Sequence, residues 1–299
     1  MTARPNDRVV LAICLSLLAL LFFDFMGLII KHLSPRYSAA ELSAWRNVFG
    51  LVPSFLALML ARGWHAQGRP IKVRQWKLAL SRGIIVCFAQ LMFYMSLGAL
   101  DFATATTISY ANALFVTALA VPLLGEKVGW VRWVAVIIGF VGVIMVMGPG
   151  REAFTIEAVL PAGAAALYAL TAVTARLFDE NVPTPLVNLW SSSMAVVGAI
   201  ILAMMTGGFS SVANGDLIWI VAMGCFGGAA VLCLIIAYRM TEQSNLAPFS
   251  YFGIPLAFWL GWLFYDEAPF DDLFPGSLLI IAGGLMVIWR ERRARRLKA

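Results

Sequence analysis

Charge is scarce in this chain. Only 13% of its 299 residues are Asp, Glu, Lys or Arg, while 61% are hydrophobic, and so few charges cannot cover a soluble globule of this size. Soft metal ligands are equally thin. His32 and His65 sit far apart in or near loops, and Cys14, Cys87, Cys225 and Cys233 fall inside apolar runs, where a free thiol behaves as a small hydrophobe. These positions suggest neither a disulfide framework nor a metal centre. Also missing are a Gly-x4-Gly-Lys-Ser/Thr phosphate loop and any connection long enough to form a nucleotide-hydrolysing domain. No matched nucleophile and base and no paired aspartates appear, so neither an enzyme nor a cofactor is expected.

What remains is apolar. Ten runs, at roughly 9–31, 40–61, 77–98, 102–124, 131–148, 156–177, 185–206, 215–238, 246–265 and 274–290, are each about long enough to cross ~30 Å of hydrocarbon at ~1.5 Å per residue. Period-two alternation is absent, which excludes an outer-membrane barrel. The reading is an all-α integral membrane protein of ten transmembrane helices. Basic residues set its orientation, because Lys and Arg flanking a span resist translocation. With the N-terminus inside, seventeen of the 22 lie on the cytoplasmic side, Lys31, Arg36 and Arg151 lie outside, and Arg46 and Arg82 lie within spans. Both termini are therefore expected in the cytoplasm. The net charge of +6 needs no nucleic-acid partner, since the tail from Arg290 to Arg296 suits lipid headgroups. The first run follows Arg4 and Arg8 but ends at Lys31-His32 without a small-residue cleavage site, so it stays attached as the first helix.

The chain repeats itself. Residues 96–147 lie over 237–288 at a constant shift of 141, with Ser109/Ser250, Tyr110/Tyr251, Leu119/Leu260, Glu126/Glu267, Gly142/Gly283, Met145/Met286 and Val146/Val287 identical. The stretches around Lys31 and Trp45 match those around Arg176 and Trp190 at a shift of 145. Five spans per half is an odd number, so the second half enters the membrane from the opposite side. This expects two inverted five-helix repeats, 1–150 and 151–299, the architecture of alternating-access transporters. An assembly subunit or receptor that moves nothing is the rival from another class, and it has no evident use for two opposed copies of one module.

Polar positions inside spans are functional candidates by default. Thr107, Tyr110, Leu114 and Thr117 share one face of the fourth span; the equivalent face of the ninth carries Pro248, Tyr251, Pro255 and Phe258. Pro255 cannot donate to the Tyr251 carbonyl, so a hinge is expected there, with an oxygen left free near mid-membrane. Gly253 and Pro248 belong to the same hinge, and Asn112 is the counterpart of Gly253. Gln90 and Tyr94 share a face of the third span, and Tyr168 lies on the sixth. Asp24 and Arg46 sit at similar depth, as a buried charge pair or as a proton carrier beside a guanidinium that receives a substrate carboxylate. Trp45, Trp190 and Trp259 lie deep enough to line a cavity.

Ten helices in two inverted halves, with Pro122-Leu123-Leu124-Gly125-Glu126-Lys127 closing the fourth, Trp262-Leu263-Phe264-Tyr265-Asp266-Glu267 closing the ninth, and Gly139 and Gly142 in the fifth, resemble the drug/metabolite transporter superfamily, in particular its EamA-type members. The resemblance covers nearly the whole chain. Asp266 stands where the family more often has Gly. The resemblance implies a bacterial cytoplasmic-membrane exporter of amino acids, apolar or aromatic ones included, or of related small metabolites. Its cavity would lie between helices three, four, eight and nine, with Tyr94, Tyr110, Asn112 and Tyr251 on it. The same fold also handles drugs. A ten-helix bundle is large enough to work as a monomer among its lipids.

Overall fold

In the computed structural model, residues 5–60, 64–65, 68, 71, 73–125, 129–149, 155–178, 182, 184–241 and 243–296 are described. They form ten helices: α1 (Pro5–Leu33), α2 (Ala39–Met59), α3 (Trp76–Ala99), α4 in two pieces (Phe102–Ser109 and Asn112–Leu124), α5 (Trp130–Met147), α6 (Leu160–Thr174), α7 (Thr184–Met205), α8 (Asp216–Met240), α9 in two pieces (Gln243–Ser250 and Gly253–Tyr265) and α10 (Gly276–Arg296). Short 3₁₀ turns enter and leave α6, and a single turn, Phe270–Leu273, precedes α10. Seven stretches are long and apolar enough to cross a membrane: Val9–Leu33, Trp76–Ala99, Phe102–Leu124, Trp130–Met147, Ile156–Leu177, Leu186–Met205 and Asp216–Leu234. The protein is an all-helical, multi-pass membrane protein. Glu126 and Arg151 lie outside the described residues, as do the side chains of the basic tail.

The two interrupted helices carry the repeat to the residue. Both pieces of α4, moved by 141 positions, coincide with the two pieces of α9. Each break falls at the shared tyrosine, Tyr110 or Tyr251. Helix packing obeys the same exchange. α1 packs on α8 as α3 packs on α6, α2 packs on α8 as α7 packs on α3, and α2 on α7 and α5 on α10 each pair with their own counterpart.

The α5–α10 contact shows the exchange in atomic detail. A Cβ added to Gly142 would stand 2.5 Å from the Gly276 carbonyl oxygen and 2.8 Å from the Ile280 nitrogen; one on Gly283 would stand 2.7 Å from the Ala135 oxygen and 2.8 Å from the Gly139 nitrogen. Residues 142, 276 and 280 correspond to 283, 135 and 139 at the same shift of 141. Helix association in a bilayer relies on close packing through small residues, and here glycine lets each helix lie against the other's backbone.

Both broken helices end in a left-handed cap, at Gly125 (φ 67°) and at Asp266 (φ 55°). The Asp266 N–H bonds to the Trp262 carbonyl at 3.1 Å, and the Glu267 N–H to that of Gly261 at 3.2 Å. The left-handed conformation is costly for a residue with a Cβ, though Asp bears it better than most. Asp266→Gly is expected to stabilise the protein by about 0.5–1 kcal/mol, read as a higher midpoint of thermal unfolding in detergent; an unchanged or lower midpoint would contradict it.

Candidate functional site: a broken-helix centre beneath an outer clasp

At the C-terminal end of α1, Lys31 Nζ lies 2.6 Å from Glu267 Oε1 and donates to the Leu100 carbonyl at 2.6 Å. The other carboxylate oxygen of Glu267 accepts the Phe102 N–H at 2.8 Å. That N–H is one of those left over at the start of α4, where a negative charge is favoured. Tyr265 adds its ring, 5.3 Å from Lys31 Nζ, and donates its hydroxyl to the Leu28 carbonyl at 2.8 Å. One carboxylate thereby ties α1, α4 and the end of α9 together. A second fastening lies nearby: Arg36 pairs with Asp216 at 2.7 Å, Tyr37 donates to the same carboxylate at 2.9 Å, and Glu41 accepts the Ser210 N–H at 2.6 Å. These contacts fasten one end of the bundle.

Asp24 precedes Gly27 by three residues and Lys31 by seven, which puts all three on one face of α1. A Cβ on Gly27 would meet the Phe102 ring and Leu97, so this face looks onto α3 and α4. Asp24 therefore lies ~10 Å from the clasp along α1. It is 5% exposed, and its Oδ2 has no partner. The side-chain oxygens of Thr106, Thr107 and Tyr251 and the Nε of Arg46 are likewise buried without a hydrogen bond. In hydrocarbon such atoms are costly, and those of Thr106, Thr107 and Tyr251 lie at or within four residues of the two helix breaks.

Tyr110 and Tyr251 meet with ring centroids 6.2 Å apart. Each hydroxyl lies where a side chain would otherwise be, that of Tyr110 on Gly253 and that of Tyr251 on Gly284. Gly253 thus admits the partner tyrosine at the start of a half-helix. The hinge reading needs correction in one respect. The Tyr251 carbonyl is not free, because it accepts the Ile254 N–H at 3.1 Å. Pro255 falls in the first turn of Gly253–Tyr265, where a missing N–H costs little. Leu114, its equivalent in α4, follows the same break, so the interruption does not depend on proline. Pro248 lies inside the short piece Gln243–Ser250.

Asp24 and Arg46 do not form the ion pair considered from the sequence. Among the described residues the ion pairs are Lys31–Glu267 and Arg36–Asp216. Arg46 Nη1 instead donates to Asn47 Oδ1 at 3.1 Å, and its guanidinium lies over Gly227 of α8, whose added Cβ would stand 3.1 Å from Nε. Asp24 faces the other way, toward α4. The face of α3 that carries Gln90 and Tyr94 instead meets α2 at Asn47, the residue beside Arg46.

Gln90 is held rather than free. Its Oε1 accepts from Asn47 Nδ2 at 2.6 Å and from Ser43 at 3.1 Å, while its Nε2 donates to Asn47 Oδ1 at 3.1 Å. Ser43 and Asn47 escaped sequence reading, although two polar residues four apart on one span are a legible signal. The tryptophans are placed differently from expectation. Trp45 packs on Tyr37 and Phe209, the Trp190 indole donates to the Ile71 carbonyl at 2.9 Å, and Trp259 is 51% exposed on the outer surface of the bundle. Thr117 back-bonds to the Ala113 carbonyl at 3.3 Å, and Asn112 opens the second piece of α4.

The model of the EamA-like transporter family matches residues 10–148 and again 155–289. The chain belongs to this family, and it is a transporter of small metabolites rather than an enzyme. It is 23% identical over 264 residues to the S-adenosylmethionine uptake transporter of Rickettsia felis, covering 88% of this chain and 87% of the relative. It is also 23% identical over 300 residues to the riboflavin transporter of Rhizobium johnstonii, covering 99% and 96%. A solved crystal structure, 20% identical, superposes with a TM-score of 0.63 over 96% of this chain and 99% of that one, a likeness of fold. Neither named relative is an amino-acid exporter.

Two outcomes follow for the clasp. Lys31→Met or Glu267→Gln should raise the labelling of a Cys placed at Tyr110 by an impermeant maleimide added outside, several-fold over the intact clasp; equal labelling would show that the clasp does not close the path. Asp101 sits beside it, and burial, then the neighbouring Glu267 and Asp272, push its carboxyl above the usual range against the opposing pull of Lys31. A raised acid costs the fold stability while it is ionised and costs nothing once protonated. Asp101→Asn should therefore raise thermal stability at neutral pH, with the gain vanishing as pH falls through the raised pKa; a pH-independent gain would refute this assignment.

Proposed function

We propose that this chain is a secondary transporter of the bacterial inner membrane that carries a small amino-acid-type metabolite with an apolar or aromatic body. Its repeats, 1–150 and 151–299, would alternate access around the two helix breaks. The observation that carries this reading is the set of unpartnered polar atoms at Asp24, Thr106, Thr107 and Tyr251, on three helices, α1, α4 and α9, that pack together. A rigid scaffold would pair or replace such atoms, whereas a carrier leaves them for its cargo.

Tyr94, Tyr110, Tyr168 and Tyr251 offer ring faces to an aromatic or cationic body, and Arg46 offers a guanidinium to a carboxylate. Arg46 is the one cation at this depth, which disfavours phosphorylated cargo. Free amino acids, the expectation from resemblance, are the simplest members of the class. The names of the relatives favour larger members: S-adenosylmethionine joins an amino-acid head to an aromatic base, and riboflavin is built on a flat ring system. The direction of net flux would follow the gradients, so the assay runs both ways.

Uptake and efflux of labelled amino acids, S-adenosylmethionine and riboflavin would be compared in cells expressing the chain and cells expressing Tyr251→Ala at equal level. Flux of one of these cargoes is expected to fall at least tenfold in the variant, which is ~1.4 kcal/mol of lost interaction. Transport unchanged by Tyr251→Ala and by Tyr110→Ala would remove the helix-break centre from the pathway.

A further inference from the structure

Asp24 is the one acidic side chain near mid-membrane, and the fold leaves it unanswered. Three other carboxylates have named partners: Glu267 holds Lys31 and the start of α4, Asp216 holds Arg36 and Tyr37, and Glu41 holds Ser38 and Ser210. Asp24 is as buried as these, yet its Oδ2 has no hydrogen bond and no cation comes within ion-pair distance among the described residues. Arg46, which sits at the right depth, is turned onto Asn47 and Gly227. The face of α1 that carries Asp24 looks onto α4, whose break falls at Tyr110, in ring contact with Tyr251.

We infer that Asp24 is the counter-ion for a fixed cationic centre in the cargo, an ammonium or sulfonium group that settles between its carboxylate and the Tyr110–Tyr251 ring pair. The inference deepens the proposed transport reading and rests on it. A carboxylate beside aromatic faces is the combination that recognises an onium group, since both attract positive charge and neither requires a hydrogen bond from it. The piece Phe102–Ser109 ends beside Tyr110, and the partial negative charge of a helix C-terminus adds to the same preference. Arg46, held on Asn47 and over Gly227, then takes the carboxylate of a zwitterion. The separation of Asp24 from Arg46, which leaves a pair of opposite charges unmade, becomes the spacing of a dipolar substrate.

The test uses purified full-length protein and two probes of matched shape, choline and the uncharged 3,3-dimethylbutan-1-ol, with sodium chloride as the salt control. Choline should raise the thermal midpoint of the wild type at concentrations at least tenfold below those at which the alcohol acts. In Asp24→Asn that preference should disappear, while Asp24→Glu, which keeps the charge, should retain it and shows that the position tolerates change. Equal responses to the two probes in the wild type, or a choline preference that persists in Asp24→Asn, overturn the inference. Tyr251→Ala separates the two levels of the argument. A preference that survives Asp24→Asn but is lost in Tyr251→Ala keeps the tyrosine pathway and removes the counter-ion. A preference lost in Asp24→Asn but kept in Tyr251→Ala retains the counter-ion and removes it from the pathway drawn above.

Discussion

Two inverted halves can act as copies only if they meet on a surface that both can supply, and here that surface is bare backbone. Gly142 and Gly283 bring α5 and α10 together over each other's peptide groups. In a bilayer there is no hydrophobic gain from pressing two apolar helices together, so close dispersion contact has to supply the association. A larger side chain at either position would push the helices apart and, because each half provides one glycine, would disturb both repeats at once. The exchange-related packing of α1 on α8 and α3 on α6 follows from this shared axis.

The clasp has the opposite requirement, since a transporter must be able to release it. Lys31 and Glu267 are mostly withdrawn from solvent, with side chains 13% and 19% exposed. Desolvation offsets much of the Coulomb attraction in such a pair, while removing one partner from a buried pair costs about 3–5 kcal/mol. The arrangement is therefore specific without being strong. Its hydrogen bonds to the Leu100 carbonyl and the Phe102 N–H engage backbone groups at the start of α4, so opening it frees the half-helix that leads to the break. Closure at the surface and the geometry around Tyr110 are linked through eight residues of one helix.

Much of the fold was legible because membranes permit few solutions. Backbone groups in hydrocarbon must bond within a helix, so apolar runs, an odd count per half and the distribution of Lys and Arg lead to an inverted ten-helix bundle. The shift of 141 aligned Tyr110 with Tyr251, but nothing in it marked either residue as a break. Nor could the residues show the cause of the breaks. Pro255 looked like a hinge because interior proline breaks helices, but its distance from the break depends on where the helix restarts, which is a tertiary property. Gln90 looked available for the same reason: its partners Ser43 and Asn47 lie on another span, and no pattern within α3 reveals them. The Asp24–Arg46 pair failed because equal depth in the membrane does not settle which face of a helix a side chain occupies. Lys31 and Glu267 were visible as a charge at a span end and a repeated residue, but nothing in the sequence joined α1 to α9.

The repeat is least faithful where the site is most crowded, and that asymmetry has consequences for alternation. Tyr110 rests its hydroxyl on Gly253, and Tyr251 rests its own on Gly284. If the halves exchanged conformations completely, Tyr251 would have to rest on position 112 and Tyr110 on position 143. Those positions are Asn112 and Val143, and a side chain fills the space each hydroxyl would need. The opposite state therefore cannot mirror this one around the tyrosines. One or both rings must swing away. Under the proposed alternating access, inverted symmetry would supply the two openings, and the departures from it at 112, 143, 253 and 284 would make the tyrosine contacts differ between them. A cargo that fills the vacated space replaces the lost ring packing in one state and competes with it in the other, and that difference in affinity is what a carrier needs in order to be driven from one opening to the other.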